Sequence, residues 1–214
     1  MSDTASPLAI AAQALTLQRG GRRLVDGLDL AVCAGEAIEL VGPNGSGKTT
    51  LLRALAGLVR PEAGRVETPG PDAIAFSGHA DALKPGESVA QALGFWARFH
   101  GRAQGEIDAA LDAFGAVHLK RRMGERLSAG QRRRVSLARV KLTGRPVWLL
   151  DEPAAPLDAA GRNRLAAAVA AHRASGGIVV AATHLGLGWD GARRLDLAGF
   201  DAACDAAFDA GPVS

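Results

Sequence analysis

The chain has no tyrosine, and its six phenylalanines and three tryptophans leave aromatic residues at only 4% of 214. A base-stacking platform for nucleic acid needs exposed rings, and a net charge of +3 adds little attraction toward a phosphate backbone. Cysteine is equally scarce. Cys33 and Cys204 stand far apart without metal-ligand spacing, which excludes a disulfide framework and suits reduced thiols in a reducing compartment. The longest uninterrupted apolar run, Leu165 to Ala171, falls far short of the roughly 20 residues that span a bilayer. Met1 to Pro7 is polar, carries Asp3 and contains no apolar stretch before a cleavage site, so the expectation is a chain that stays in the cytoplasm. No internal repeat is present. What remains is a chain of 48% hydrophobic and 22% charged residues, long enough for one domain with a full core.

Short β-like runs alternate with helical ones, the pattern of an α/β fold with a largely parallel sheet. Ala37 to Val41, Val147 to Leu150 and Ile178 to Thr183 read as strands. Thr50 to Ala56 places Leu51, Leu52 and Leu55 on one helical face, with Gly57 where a left-handed C-cap belongs. Between Pro85 and Thr143 the pattern turns helical: Val89 to Phe99, Glu106 to Val117, and Arg132 to Leu142. Leu165 to His172 is a further helix, and the last twenty residues carry weak signals.

Gly42, Pro43, Asn44, Gly45, Ser46, Gly47, Lys48 and Thr49 read GPNGSGKT, a full phosphate-loop pattern set between a predicted strand and a predicted helix whose first residue, Thr50, joins the candidate ATP-binding set. Glycines let backbone N–H groups converge on phosphates, Lys48 supplies charge to the β and γ oxygens, and Thr49 offers a hydroxyl to Mg²⁺. Val147 to Glu152 is an apolar strand that ends in two adjacent carboxylates. Beside a phosphate loop, Asp151 suits the metal shell and Glu152 suits polarising an attacking water. Leu127 to Gln131 reads LSAGQ, in which Ser128 and Gln131 form a capping box.

At LSAGQ the chain comes to resemble the ABC transporter ATPases, whose signature sequence this is close to. That resemblance implies an α/β P-loop fold: a mostly parallel sheet core, an antiparallel β portion and a helical sub-lobe. Residues 1–84 and 144–190 would form the ATP-binding core and 85–143 the sub-lobe, leaving 191–214 as a tail. It also implies that Ser128, Ala129, Gly130 and Gln131 face the γ-phosphate held by a second chain, so the active form is a head-to-tail homodimer that works on ATP with Mg²⁺. Asp158 matches the D-loop aspartate and His184 the switch histidine. Two positions depart from the family: His79 stands where a Q-loop glutamine is usual, and Arg19 where an aromatic stacks on adenine. Pro156 is an unusual stiffener in the D-loop.

Gly78-His79, Leu83-Lys84, Phe95-Trp96, LSAGQRRRV and WLLDEP resemble the ATP-binding subunits of the haem exporter of cytochrome c biogenesis. The segment DEPAAPLD departs from that group's usual DEPFTALD. The implied partners are membrane subunits resembling CcmB, with CcmC and CcmD, and indirectly the haem chaperone CcmE. The implied location is the cytoplasmic face of the inner membrane, through those subunits. Direct binding of haem or nucleic acid is not expected. Other readings are an ATPase subunit of another small ABC exporter, an ABC protein acting on nucleic acid or ribosomes, suggested by Arg132-Arg133-Arg134 and Lys120-Arg121-Arg122, and a non-hydrolysing scaffold, against which Glu152 and His184 speak.

Overall fold

A computed structural model describes residues 8–78, 83–84, 86–184 and 186–200. The chain begins with two long strands, β1 (Ala9–Arg19) and β2 (Arg22–Cys33), followed by β3 (Ala37–Val41) and α1 (Lys48–Leu55). Next come β4 (Ala63–Glu67), β5 (Ile74–Ser77), α2 (Val89–Phe99), α3 (Gln104–Ala113) and α4 (Ala129–Leu142). The last elements are β6 (Val147–Asp151), α5 (Ala159–Ala174), β7 (Ile178–Ala182) and β8 (Arg193–Asp196). They form two sheets: an antiparallel one ordered β2-β1-β4, and a parallel one ordered β5-β6-β7-β3-β8.

The inner parallel strands are largely apolar because both their faces are covered. Along β7, Ile178, Val180 and Ala182 face α1 and the antiparallel sheet, while Val179 and Ala181 face the helices. Leu51, Leu52 and Leu55 of α1 pack into the first layer, with Ile38, Leu40 and Leu149. The second layer joins Leu150 to Leu93, Ile107, Leu111, Phe114, Leu137 and Leu165.

Several expectations need correction at their ends. The second helix of the 85–143 stretch runs over Gln104–Ala113 and not to Val117, because the chain turns at Gly115 (φ +62°). The helix expected at Leu165 begins earlier, at Ala159, because Asp158 caps it. Part of the tail at 191–214, where the sequence signals are weak, supplies β8, whose residues pair in parallel with Ile38 to Val41 of β3. Cys33 is a free, exposed thiol, and Cys204 lies outside the described residues. No helix among the described residues is long and apolar enough to cross a membrane.

The arginine run of α4 is spent inside the molecule. Arg132 donates to the Leu127 carbonyl, Arg133 to the Gly78 carbonyl (3.1 Å) and Arg134 to Asp158 (2.6 Å). Arg139 donates to the Phe76 carbonyl at 3.1 Å and lies 5.0 Å over the Trp96 ring, and Arg145 donates to the Ile74 carbonyl. The carbonyls of Ile74, Phe76 and Gly78 recur at every second residue, hence on one side of the edge strand β5. Three guanidinium groups therefore cover the edge, and two of them, those of Arg133 and Arg139, tie α4 to the sheet.

At the opposite end of β6, the His172 ring stacks on the buried Trp148 indole at 4.0 Å and 13°, with Nε2 3.0 Å from the Pro146 carbonyl oxygen. Burial holds this imidazole below the ordinary 6.5, outweighing the backbone groups of Pro146 and Ile178, and Lys141 lowers it further. His100 is also shifted down, by burial and then by Arg145, Arg102 and Arg139. A histidine whose folded value is depressed contributes stability that is present above the unfolded value and lost as pH falls through the folded one. The melting temperature is therefore expected to drop as pH falls below about 6.5, and His172→Phe, which keeps a stacked ring, should flatten part of that drop. An identical pH profile for the variant and the parent protein would remove His172 from this account.

Candidate functional site

Three parallel strands end level with one another. Leu40 of β3 pairs with Ala182 of β7, and Ala182 pairs with Asp151 of β6. The ladder runs one bond further on each side: Thr183 N–H donates to the Leu40 carbonyl and Glu152 N–H to the Ala182 carbonyl, both at 2.9 Å. The loop 42–47, the carboxylates of Asp151 and Glu152, and His184 thus emerge on one edge of the sheet.

Helix α1 starts at Gly47 in the left-handed conformation (φ +97°), with no side-chain cap and no acidic residue in its first turn. A side chain at Gly47 would also press on Leu24, whose Cβ lies 3.1 Å from the position a Cβ would take. The other long helices close their ends. Ser88, Ser128 and Asp158 cap α2, α4 and α5, and Glu106 accepts from Ala103 N–H at the start of α3. Among these helices of the described residues α1 alone has neither a side-chain cap nor an acidic residue in its first turn, so its dipole and all its first N–H groups stand ready for an anion. Lys48 is buried there, and its Nζ donates to the carbonyls of Gly42 (2.6 Å) and Pro43 (2.8 Å).

Thr49 Oγ1 lies 3.1 Å from each carboxylate oxygen of the buried Asp151. No cluster of three metal-ligating side chains occurs among the described residues. One hydroxyl and one carboxylate fit Mg²⁺, which takes few protein ligands and completes its shell with water and substrate phosphate. Beside them Glu152 sits at φ +47°, a backbone region costing a non-glycine residue on the order of 1–3 kcal/mol. That turn aims its carboxylate at His184, with Oε2 3.0 Å from Nδ1. The loop beyond His184 is anchored by the buried Glu39, which accepts from Leu187 N–H at 3.0 Å and Trp189 N–H at 3.4 Å.

Asn44, Gly45, Gly47, Lys48, Thr49, Thr50, Asp151 and Glu152 line one cleft of about 460 Å³ together with Arg19. Arg22, Leu24 and Arg53 line it too, and motif reading missed them. The signal for Arg22 was available, since Gly20-Gly21 between two strand-like runs is a hairpin turn that sets Arg19 and Arg22 opposite one another.

Ser128, Gly130 and Gln131 line a separate cleft of about 390 Å³, with His118, Arg134, Pro156 and Asp158. Within one chain, then, the LSAGQ segment and the phosphate loop do not meet. Ser128 Oγ accepts from Gln131 N–H and Gln131 Oε1 from Ser128 N–H, while Ala129 opens the helix between them. Gly130 has no room for a side chain: a Cβ would lie 2.7 Å from the Pro156 carbonyl oxygen. Asp158 Oδ1 accepts from Gly161 N–H at 2.8 Å and from Arg134 at 2.6 Å, and these bonds, the first above all, hold its carboxyl below the usual range. His79 lies outside the described residues.

Residues 25–155 match the family model described as ABC transporter. The chain is 49% identical to the cytochrome c biogenesis ATP-binding export protein CcmA of Maricaulis maris, over 89% of this chain and 92% of that protein. It is 50% identical to the CcmA of Rhodobacter capsulatus, over 90% of this chain and 89% of that protein. A bacterial ABC transporter cassette solved as a dimer has the same fold, with a TM-score of 0.79, 20% identity, and 88% and 94% of the two chains covered.

Replacing Lys48 by alanine removes a mobile charge from a site otherwise made of N–H groups. Charge-assisted bonds of this kind are worth about 1.5–3 kcal/mol, so nucleotide affinity should fall by roughly 10- to 100-fold. Calorimetric titration with Mg·ATP checks this, and an unchanged Kd would detach Lys48 from the phosphates.

Proposed function

The chain belongs to the ABC transporter family and, within it, to the CcmA proteins, and from that membership we propose that it hydrolyses Mg·ATP as one half of a two-chain sandwich, driving the haem exporter of cytochrome c biogenesis. The observation that carries this reading is the open N-terminus of α1 set opposite Asp151, Glu152 and His184 on one sheet edge. The triphosphate lies on the loop 42–47 and the first turn of α1, and Lys48 exchanges the Gly42 and Pro43 carbonyls for phosphate oxygens. Thr49 and Asp151 hold Mg²⁺, which when bound neutralises charge on the β and γ oxygens. Glu152 accepts a proton from the attacking water, a bond forms from that oxygen to the γ-phosphorus, and the bond to the ADP oxygen breaks, giving ADP and phosphate. His184 steadies the Glu152 carboxylate through Nδ1 and turns its other nitrogen to the γ-phosphate.

The second chain enters because the LSAGQ segment occupies its own cleft, away from the loop it would complete. Placed across a two-fold axis, the open N–H groups at the start of α4 meet the γ-phosphate on the partner's loop. That a cassette of the same fold was solved as a dimer supports the pairing of two such chains.

A membrane subunit resembling CcmB needs a landing face, and α2 offers one. Phe95 and Phe99 are 54% and 65% exposed and stack at 6.2 Å, and Phe95 lines a groove with Leu83, Lys84, Glu87, Gln91 and Trp96. Exposed rings beside a groove are a common anchor for a partner helix.

Glu152→Gln is expected to bind Mg·ATP normally, turn it over about 10²–10⁴-fold more slowly and accumulate as an ATP-bound dimer. Steady-state ATPase assays and light scattering with and without Mg·ATP test this; full turnover would show that Glu152 is not the base. The double change Phe95→Ala/Phe99→Ala should leave nucleotide affinity unaltered and abolish co-purification with the membrane subunit. Retention of the membrane subunit by that variant would move the docking face elsewhere.

A further inference from the structure

We propose that Glu39 is a positioning residue for hydrolysis: it holds the backbone that follows β7 so that His184 stays against Glu152, and its replacement slows turnover of bound ATP without weakening ATP binding. The inference rests on the reading of Glu152 and His184 as the hydrolytic pair. The His184 side chain is 49% exposed, so packing does little to fix its ring, and its bond to Glu152 Oε2 depends on where the backbone sets it. Successive residues of β3 grip that backbone on both sides. The Leu40 carbonyl accepts from Thr183 N–H at 2.9 Å, and the Glu39 carboxylate accepts from Leu187 N–H at 3.0 Å and Trp189 N–H at 3.4 Å.

The path of the chain explains why such a grip is needed. Strands β7 and β8 flank β3 and run parallel to it, so the chain between them must cross β3, and it does so on the face that carries Glu39. The described residues of 183–192 are neither helix nor strand, and their backbone groups need partners elsewhere. Two charged side chains supply them. Glu39 takes the N–H groups of Leu187 and Trp189, while Arg173 of α5 donates to the carbonyls of Asp190 and Gly191, and also to that of Gly35. The bonds to Glu39 are the ones nearer His184.

For the sheet alone a carboxylate is a poor choice at this place. Glu39 is 4% exposed, and Ala37, on the same face of β3, belongs to the apolar layer beneath the helices. Taking a carboxylate out of water is unfavourable unless hydrogen bonds and an opposite charge offset it, and an apolar residue would serve the strand as well. Here both offsets come from the crossing chain and the strand it leads into. The two N–H groups are its own, and Arg194 of β8 lies 3.7 Å from Glu39 Oε2. Leu187 and Trp189 also line a cavity of about 280 Å³ with Glu152 and His184, so the anchored residues and the hydrolytic pair border one space.

Glu39→Gln keeps the size and one acceptor but sets an amide N–H₂ against one of the two N–H donors. At saturating Mg·ATP its kcat should fall about 10- to 100-fold, the loss that a catalytic group misplaced by about 1 Å brings. The calorimetric Kd and the number of sites should stay at wild-type values, whereas a merely structural fault would lower the number of sites and kcat together. Arg173→Gln frees the far end of the same segment, and it should lower the melting temperature while leaving kcat within about twofold of wild type. Wild-type kcat in Glu39→Gln, a loss of its ATP sites that matches the loss of kcat, or equal slowing by Arg173→Gln would each overturn the proposal. Hydrogen exchange on the wild-type chain decides it even if the variants do not fold: Leu187 N–H is expected to be protected, and exchange at the rate of an unbonded amide would overturn it. A wild-type chain that protects Leu187 but does not hydrolyse Mg·ATP would instead bring down the hydrolytic reading, and the role of Glu39 with it.

Discussion

The pairing of β3, β6 and β7 in level register is the constraint from which the site follows. Parallel strands hold their ends together through backbone bonds alone, whatever their side chains. Here that ladder reaches one bond beyond the strands on either side, to Thr183 and Glu152. Val41 delivers the chain into the phosphate loop, Asp151 and Glu152 leave β6 at the same height, and His184 leaves β7 between them. A slip of one residue would turn Asp151 away from Thr49 and break the contact at 3.1 Å.

The helix termini divide the labour in a similar way. Where α2, α4 and α5 meet solvent, serine or aspartate satisfies the backbone. At α1 no side chain does so, and a buried lysine stands by with its charge parked on two carbonyls. The start of α4 is intermediate: its capping box satisfies Ser128 and Gln131 and leaves the N–H groups between them for another ligand. Pro156, which a sequence reading would suspect of disturbing the D-loop, instead packs its carbonyl on Gly130 while Asp158 keeps its bonds to α5 and Arg134.

Much of this was legible in the chain itself. The strands at 37, 147 and 178, the helix at 89, the phosphate loop and the paired carboxylates announce themselves through runs and spacings that report local structure. The misplaced ends were those governed by single residues, Gly115 stopping α3 and Asp158 starting α5 well before the apolar stripe at Leu165. The strand at Arg193 escaped because its pattern is polar: it lies at a sheet edge and is held by backbone pairing to β3, with Arg194 turned toward the buried Glu39. The arginine run misled for a related reason. Charge density in a sequence does not say which way each side chain turns, and here neighbouring arginines serve a carbonyl of the preceding loop, the end of the edge strand and Asp158.

Those arginines have one more consequence, which concerns the subunit before it meets its membrane partner. A parallel sheet of five strands ends in open edges, and an open edge is a template on which a strand from another copy can grow. Along β5 the carbonyls that would receive such a strand are already engaged by Arg133, Arg139 and Arg145. Guanidinium groups do not lose their protons at any pH a cell reaches, so this cover does not lift. A newly made subunit waiting for assembly is in this way shielded from the misassociation to which its own sheet would otherwise lend itself.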